Sequence, residues 1–289
     1  MQGKISIQHY SEYLNTMSKI EKYLSSRNSK EREYCILWLT AFGIQSVVDL
    51  KPSEDLDPII SRHIEGKTDI SQTHKEVHDF YHAYHRETGD HNMHRNEEAD
   101  KVDVRIVETL LADDFDLSLQ GFRQTHRHMF HGIYHNSGEL REKPFSKKEW
   151  VLGNTTILYP KPDGLEERLQ FLFETERSMD YSRLSDSHKL RHYCQFIAQL
   201  MMLNAFHYAN SRTMFVYALK YLLSCGYQLK NDTFYREAWY FRNAIIRACY
   251  TNMYQGIYPT TKYMEMFLGN LLFNEENELK NHRMVKKGG

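Results

Sequence analysis

Ten residues, Asn204-Ala-Phe-His-Tyr-Ala-Asn-Ser-Arg-Thr213, hold the groups in this chain best arranged for chemistry. Apolar residues at helix spacing flank them on both sides. Phe196, Ile197, Leu200, Met201 and Leu203 precede them. Met214, Phe215, Ala218, Leu219, Leu222 and Leu223 follow, with Gly226 placed as the stop of the second helix. Asn210 or Ser211 can cap the start of that second helix. Its free N–H groups and dipole then face the short loop, with Arg212 one step inside, which makes a phosphate-sized anion site. Ala209, Asn210, Ser211 and Arg212 are the candidate phosphate ligands. Any capped helix start offers such donors, so the elements around the loop must decide what it does.

Those elements read as helices. Apolar spacing predicts helices from Glu33 to Gly43, Ser71 to His85, Val102 to Leu111, Leu165 to Phe173, His188 to Leu203 and Arg212 to Cys225. Gly43 reads as a helix stop, and Pro52 and Pro58 as breaks. Asp113-Asp-Phe-Asp116 is a plausible boundary before a core that begins near Leu117. The strand signals reduce to one hairpin, Trp150 to Tyr159, turning at Gly153 and Asn154. The predicted class is all-α with a β-hairpin.

With 289 residues, 41% of them hydrophobic, the chain can bury a sizeable core without disulfides. A formal net charge of −1 gives no argument for nucleic acid or an acidic membrane as partner. Cys35, Cys194, Cys225 and Cys249 are widely spaced in helical apolar contexts and read as reduced core residues of a cytoplasmic protein. No Cys pair has zinc-ligand spacing, and no metal is expected. Met1 to Tyr13 carries no long apolar stretch, and nowhere do eighteen apolar residues run together, so neither a signal peptide nor a membrane span is expected.

Two histidine groups stand out. His74, His78, His82 and His85 share a helix face, interleaved with Lys75, Glu76 and Asp79, and read as a solvated surface. His126, His128, His131 and His135 form a second group, expected to include buried or half-buried rings; one could act as a base only within hydrogen-bond reach of an attacking hydroxyl.

The 204–213 segment resembles the Fic-family motif, His-Pro-Phe-x-(Asp/Glu)-Gly-Asn-Gly-Arg-x-x-Arg. Phe206, Asn210 and Arg212 match it. Asn204 falls at the family His, Ala205 at Pro, Tyr208 at the acidic residue, Ala209 and Ser211 at the glycines, and Phe215 at the second Arg. His126-Arg-His-Met-Phe130 through Gly138-Glu-Leu-Arg141 resembles the family stretch ending in Ala-Gly-x-x-Arg. The hairpin resembles the flap that holds a target segment beside the active site, and the run Tyr263 to Leu272 with Glu278 to Asn281 resembles family C-termini. Ser61-Arg-His-Ile-Glu65-Gly66 is similar to the family's inhibitory pattern, (Ser/Thr)-x-x-x-Glu-(Gly/Asn). The resemblance runs from about residue 55 to 282. It implies an N-terminal helical region over 1–115 with an inhibitory-type segment at 61–66, a Fic-like core over 116–260, and a C-terminal helix and tail over 261–289.

The resemblance implies transfer of AMP from ATP to a hydroxyl of a target protein. The motif His acts as base, the acidic residue holds magnesium, the glycines admit the anion to backbone N–H groups, and the second Arg grips the γ-phosphate. Here Asn204 cannot accept a proton near neutral pH, Tyr208 is a poor partner for a hard cation, and Phe215 carries no charge. Loss of the base alone removes a factor of about a hundred to ten thousand. His207 lies three residues from the base position, too far for geometry that tolerates about half an ångström. The expectation is a degenerate Fic-type protein with a signalling or regulatory role. It would bind a target segment at the flap, and ATP or another nucleotide is the cofactor the resemblance admits, with magnesium doubtful. An active transferase using another base or phosphate-containing donor, and a self-inhibited toxin-like module, are the alternatives. Phe206 is the expected structural anchor. With Phe215 in place of the usual Arg, Glu65 is expected to reach Arg212 or the N–H groups of the second helix and lock the site shut.

Overall fold

A computed structural model describes residues 19–285. Asn28 accepts from the Lys30 amide and opens α1, Ser29–Ser46. Every residue from Cys35 to Gln45 is buried, so α1 is a core helix. Gly43 lies inside it and does not end it. A Cβ there would sit 2.7 Å from the Tyr235 Cα, so the glycine is kept for a close backbone approach. Pro58 stands in the first turn of α2, Asp57–Ile64, and starts that helix rather than breaking the chain. Next come α3, Ile70–Thr88, capped by Asp69; α4, Arg95–Leu111, which begins well before the predicted Val102; and α5, Leu119–Phe130, capped by Ser118.

The hairpin exists, shifted upstream. β1, Ser146–Glu149, pairs antiparallel with β2, Thr155–Leu158, in the register Ser146↔Leu158 and Glu149↔Thr155. Trp150–Leu152, read from sequence as a strand, is a 3-10 turn with Val151 and Leu152 buried. Their apolar character marks an anchor, while the true first strand, Ser-Lys-Lys-Glu, is mostly exposed and carries no apolar alternation. Glu149 is its one buried residue, and it accepts from Arg242 at 2.7 Å, tying the hairpin to the helix Thr233–Cys249.

The remaining helices are α6, Leu165–Arg177; α7, Asp186–Leu203; α8, Asn210–Ser224; α9, Thr233–Cys249; and α10, Lys262–Phe273. α9 packs on α1, α7 and α10, while α4 packs on α1, α3, α5 and α8. Between them α8 is buried from Arg212 to Leu222, and Gly226, at φ 87°, closes it with bonds from Gly226 and Tyr227 to the Leu223 and Leu222 carbonyls. The described architecture is all-α with one two-stranded hairpin. No described helix is long and apolar enough to cross a membrane. Cys35 and Cys194 are buried and Cys249 is half-buried; Cys225, expected in the core, is exposed at the end of α8.

The histidine-rich face of α3 is not wholly solvated. His74 from α3 and His128 from α5 both lie 3.2 Å from one Glu108 oxygen on α4. Bonds to the two imidazoles hold the Glu108 carboxyl down to about 2. A carboxyl held below its unfolded value contributes stability that is complete above the unfolded pKa and is lost as pH falls through the folded one. Wild type should therefore lose stability from about pH 4.5 downward more steeply than Glu108→Gln. Urea midpoints measured from pH 6 to pH 3 test this. Parallel curves would show that the triad holds no differential proton affinity.

Candidate functional site

The 204–213 loop leaves α7 at Asn204, which takes a left-handed conformation, φ 44°, and enters α8 at Ala209, also left-handed, φ 54°. Asn tolerates that region; Ala is strained there. The family motif has glycine at the second position, and the loop keeps the glycine-like backbone without the glycine. Neither Asn210 nor Ser211 is the cap. Ala209 occupies that position without a side-chain bond. The Asn210 amide turns inward instead, accepting from the Phe206 N–H at 2.8 Å and donating to the Phe206 carbonyl at 2.7 Å. It closes the loop on itself.

Phe206 is fully buried against Phe122 and stacks on His126 at 4.0 Å. His126 is a strut of the same loop. Its Nδ1 accepts from the Gly138 amide at 2.8 Å and its Nε2 reaches the Tyr208 carbonyl at 3.3 Å, which fixes the neutral tautomer. Burial pushes its pKa down to about 4. With the Nδ1 lone pair taken, this ring has none free to act as a base. His128, His131 and His135 are exposed. His207 is half-buried between Phe206 and Tyr208.

Arg141, unremarkable by type, organises the region. It is buried, and its Nε donates to the Asn204 carbonyl at 2.7 Å. Its Nη1 donates to the Lys143 carbonyl at 2.8 Å, and its Nη2 reaches the Pro160 and Leu203 carbonyls. The Arg141 amide also donates to the Ala205 carbonyl at 2.9 Å. One guanidinium thus joins the end of α7, the motif loop and both approaches to the hairpin.

Arg212 does not face an open anion site. Its side chain is 4% exposed and lies over the Phe130 ring at 4.7 Å. Nη1 donates to Gln45 Oε1 at 2.9 Å and pairs with Glu98 at 2.9 Å; Nη2 donates to the Tyr134 hydroxyl at 2.7 Å. Tyr134 in turn donates to Glu98 at 2.9 Å. The carboxylate on Arg212 therefore comes from α4, and Glu65 is elsewhere. Glu65 accepts from the Tyr23 hydroxyl at 2.5 Å and pairs with Lys67 at 2.6 Å, and those two bonds hold its carboxyl below the usual range. The Ser61–Gly66 segment is the C-terminal closure of α2: Gly66, at φ 70°, donates to the His63 carbonyl at 2.9 Å, and Lys67 donates to the Arg62 carbonyl at 2.8 Å. α2 packs on α1 and α3. The expected Glu65–Arg212 lock is replaced by a Glu98–Arg212 lock.

Tyr208 stands 56% exposed with its ring on Tyr134. Phe215 is fully buried between Phe234 and Phe241, so an apolar cluster occupies the position of the second Arg. The residues present do not fit a magnesium-bound triphosphate: a phenol replaces the carboxylate, one Arg is sealed and the other is a core ring. Among the described residues no group of three or more His, Cys, Asp or Glu could hold a metal.

Residues 116–222 match the Fic/DOC family. A Fic family protein from Desulfovibrio desulfuricans G20 shares the fold at a TM-score of 0.53, with 12% identity, over 93% of this chain and 74% of its own. The N-terminal Fic domain of Bep8 from Bartonella sp. 1-1C is 14% identical over 63% of this chain and 88% of its own, at a TM-score of 0.48. BepC from Bartonella tribocorum, with bound AMPPNP, is 14% identical over 62% and 87%, at 0.41. No curated protein matches. Helical core, hairpin, motif loop and family match coincide over the same residues: the 116–222 segment matches the Fic/DOC family model, and the chain carries the fold of a Fic family protein.

Proposed function

We propose that this chain is a Fic-domain protein that has lost AMP transfer and acts by binding, in a signalling or regulatory role inside the cytoplasm. One observation carries the reading: the Arg212 guanidinium, the cation of the motif loop, is buried, and both of its terminal nitrogens are taken by Glu98, Gln45 and Tyr134. Around it Asn204 offers no base, Tyr208 no metal ligand and Phe215 no γ-phosphate contact. The loop has become a packed structural element with the outline of a phosphate cradle. The surface left for a partner is the hairpin, where Trp150 is 51% and Leu158 76% exposed. An extended target segment lying along that hairpin would cover both.

Incubation of wild type with α-phosphate-labelled ATP, magnesium and a cell lysate should give no labelled protein above a heat-inactivated control. Asn204→His should stay equally inactive, because the metal and γ-phosphate groups remain missing. Calorimetry with ATP, with and without magnesium, should show no magnesium-dependent tightening. Magnesium-dependent labelling of itself or another protein by wild type would restore the transferase reading.

A further inference from the structure

α6 and α7 each turn one stripe of side chains to a shared groove. Arg168, Phe171 and Thr175 line it from α6, and Gln195, Gln199 and Leu203 from α7, at the spacing of one helix face. The stretch from Cys249 to Thr261 supplies the third wall. The space enclosed is roughly 870 Å³, enough to bury most of a ligand. Leu172 and Ala198, both buried, give it an apolar floor.

Gln195 and Gln199 are exposed, and among the described residues neither carboxamide has a hydrogen-bond partner. A glutamine offers an acceptor and donors side by side, the complement of one residue's backbone N–H and C=O. Residues four apart on an α-helix are separated by about 6 Å along its axis. An extended chain presents every second N–H and C=O pair to the same side, about 6.5 Å apart. The two repeats match, so this glutamine pair can hold alternate residues of a strand lying along α7. From Gln195 to Leu203 the stripe runs about 12 Å, the length of about four extended residues.

Among the described residues Arg168 is the only charged one lining the groove. Its Nη2 donates to the Lys161 and Asp163 carbonyls, and its Nε and Nη1 have no partner among the described residues. Phe171, beside it, is 72% exposed. The groove also adjoins the hairpin at two places. Arg168 and Arg141 tie its α6 and α7 walls to the chain leaving β2, at Lys161 and Pro160. Gln255, on the third wall's loop, accepts from Thr155 Oγ1 at 3.2 Å at the start of β2.

We propose that this groove takes an extended segment of a partner protein, held through its backbone by Gln195 and Gln199 and carrying an acidic side chain opposite Arg168. The groove extends the surface assigned above to the hairpin and rests on that reading. A helical occupant would keep its own N–H and C=O groups paired and leave both carboxamides unused.

The test is selection of random linear peptides displayed on phage against the full chain, with the enriched peptides then measured by fluorescence anisotropy. Wild type should enrich peptides rich in Asp or Glu. Gln195→Ala with Gln199→Ala should weaken their binding by at least about tenfold. Both positions are exposed, so the fold should hold. Arg168→Glu should turn the preference from acidic to basic peptides, a reversal that general loosening of the fold would not give. Trp150→Ala, on the hairpin, separates the two surfaces. Peptides weakened by Trp150→Ala and untouched by the groove variants would overturn the groove and leave the hairpin reading standing. Peptides weakened by the groove variants alone would keep the groove and remove the hairpin from the site. Failure to enrich any peptide on wild type beyond the double glutamine variant would overturn the groove, as would an enriched peptide that binds as a helix.

Discussion

Replacing Arg212 with methionine should lower the unfolding free energy by about 3 kcal/mol or more, because breaking one side of a buried ion pair strands the other. Methionine preserves much of the volume over Phe130, so the loss isolates the charge and its bonds. Glu98 would keep only the Tyr134 hydroxyl, and Gln45 Oε1 would lose its donor. For a chain of this size the fall in Tm should be roughly 5–10 °C. Adding Glu98→Leu to Arg212→Met should recover part of the loss, since a buried pair replaced by apolar residues is often neutral or better. Urea denaturation of wild type, both single variants and the double closes the cycle. If Arg212→Met unfolds within about 0.5 kcal/mol of wild type, the arginine is not sealed in solution. It would then be available to an anion, and the reading of the loop as a sealed structural element would lose its support.

That network shows why the fold was easier to read from sequence than the site. Apolar periodicity located α6, α7 and α8 closely, because those helices bury one continuous stripe. The closure at Gly226 was legible because a left-handed terminus selects glycine. The hairpin was found at the wrong register because its strand is polar and its turn is apolar, inverting the signal that marks strands. The motif loop was located by a few residues, yet their roles were not. Arg212 reads as a phosphate ligand until Glu98, more than a hundred positions earlier, is seen against it. The Glu97–Glu98 pair at the start of α4 looks in sequence like ordinary dipole-matching acid in a first turn. Glu65 failed for the same reason in reverse. Its Ser-x-x-x-Glu-Gly pattern was real, and what it encodes here is a helix closure whose carboxylate finds Tyr23 and Lys67 locally. Pairings between distant buried polar groups leave no periodic trace, so packing alone reveals them.

Arg141→Met should cost about 3 kcal/mol or more, since each buried carbonyl left without its donor is worth about 1–3 kcal/mol. The Asn204 carbonyl is the most exposed to this loss, because it belongs to a left-handed helix terminus with no helical N–H to turn to. Arg141→Lys should rescue little. A single ammonium cannot reproduce a planar fork that reaches Asn204, Lys143 and Pro160 in different directions. The effect should also be uneven. Hydrogen exchange should quicken first at Phe206, at the Arg141 amide that bonds Ala205, and at Tyr159, whose amide donates to Phe145 at the base of the hairpin. The amides of α9 should keep their protection until the whole domain opens. Loop and hairpin loosening together would mean that one side chain couples the hairpin to the 204–213 loop. Exchange that rises equally at every amide would mean that Arg141 supports the fold as a whole, with loop and flap held in place independently.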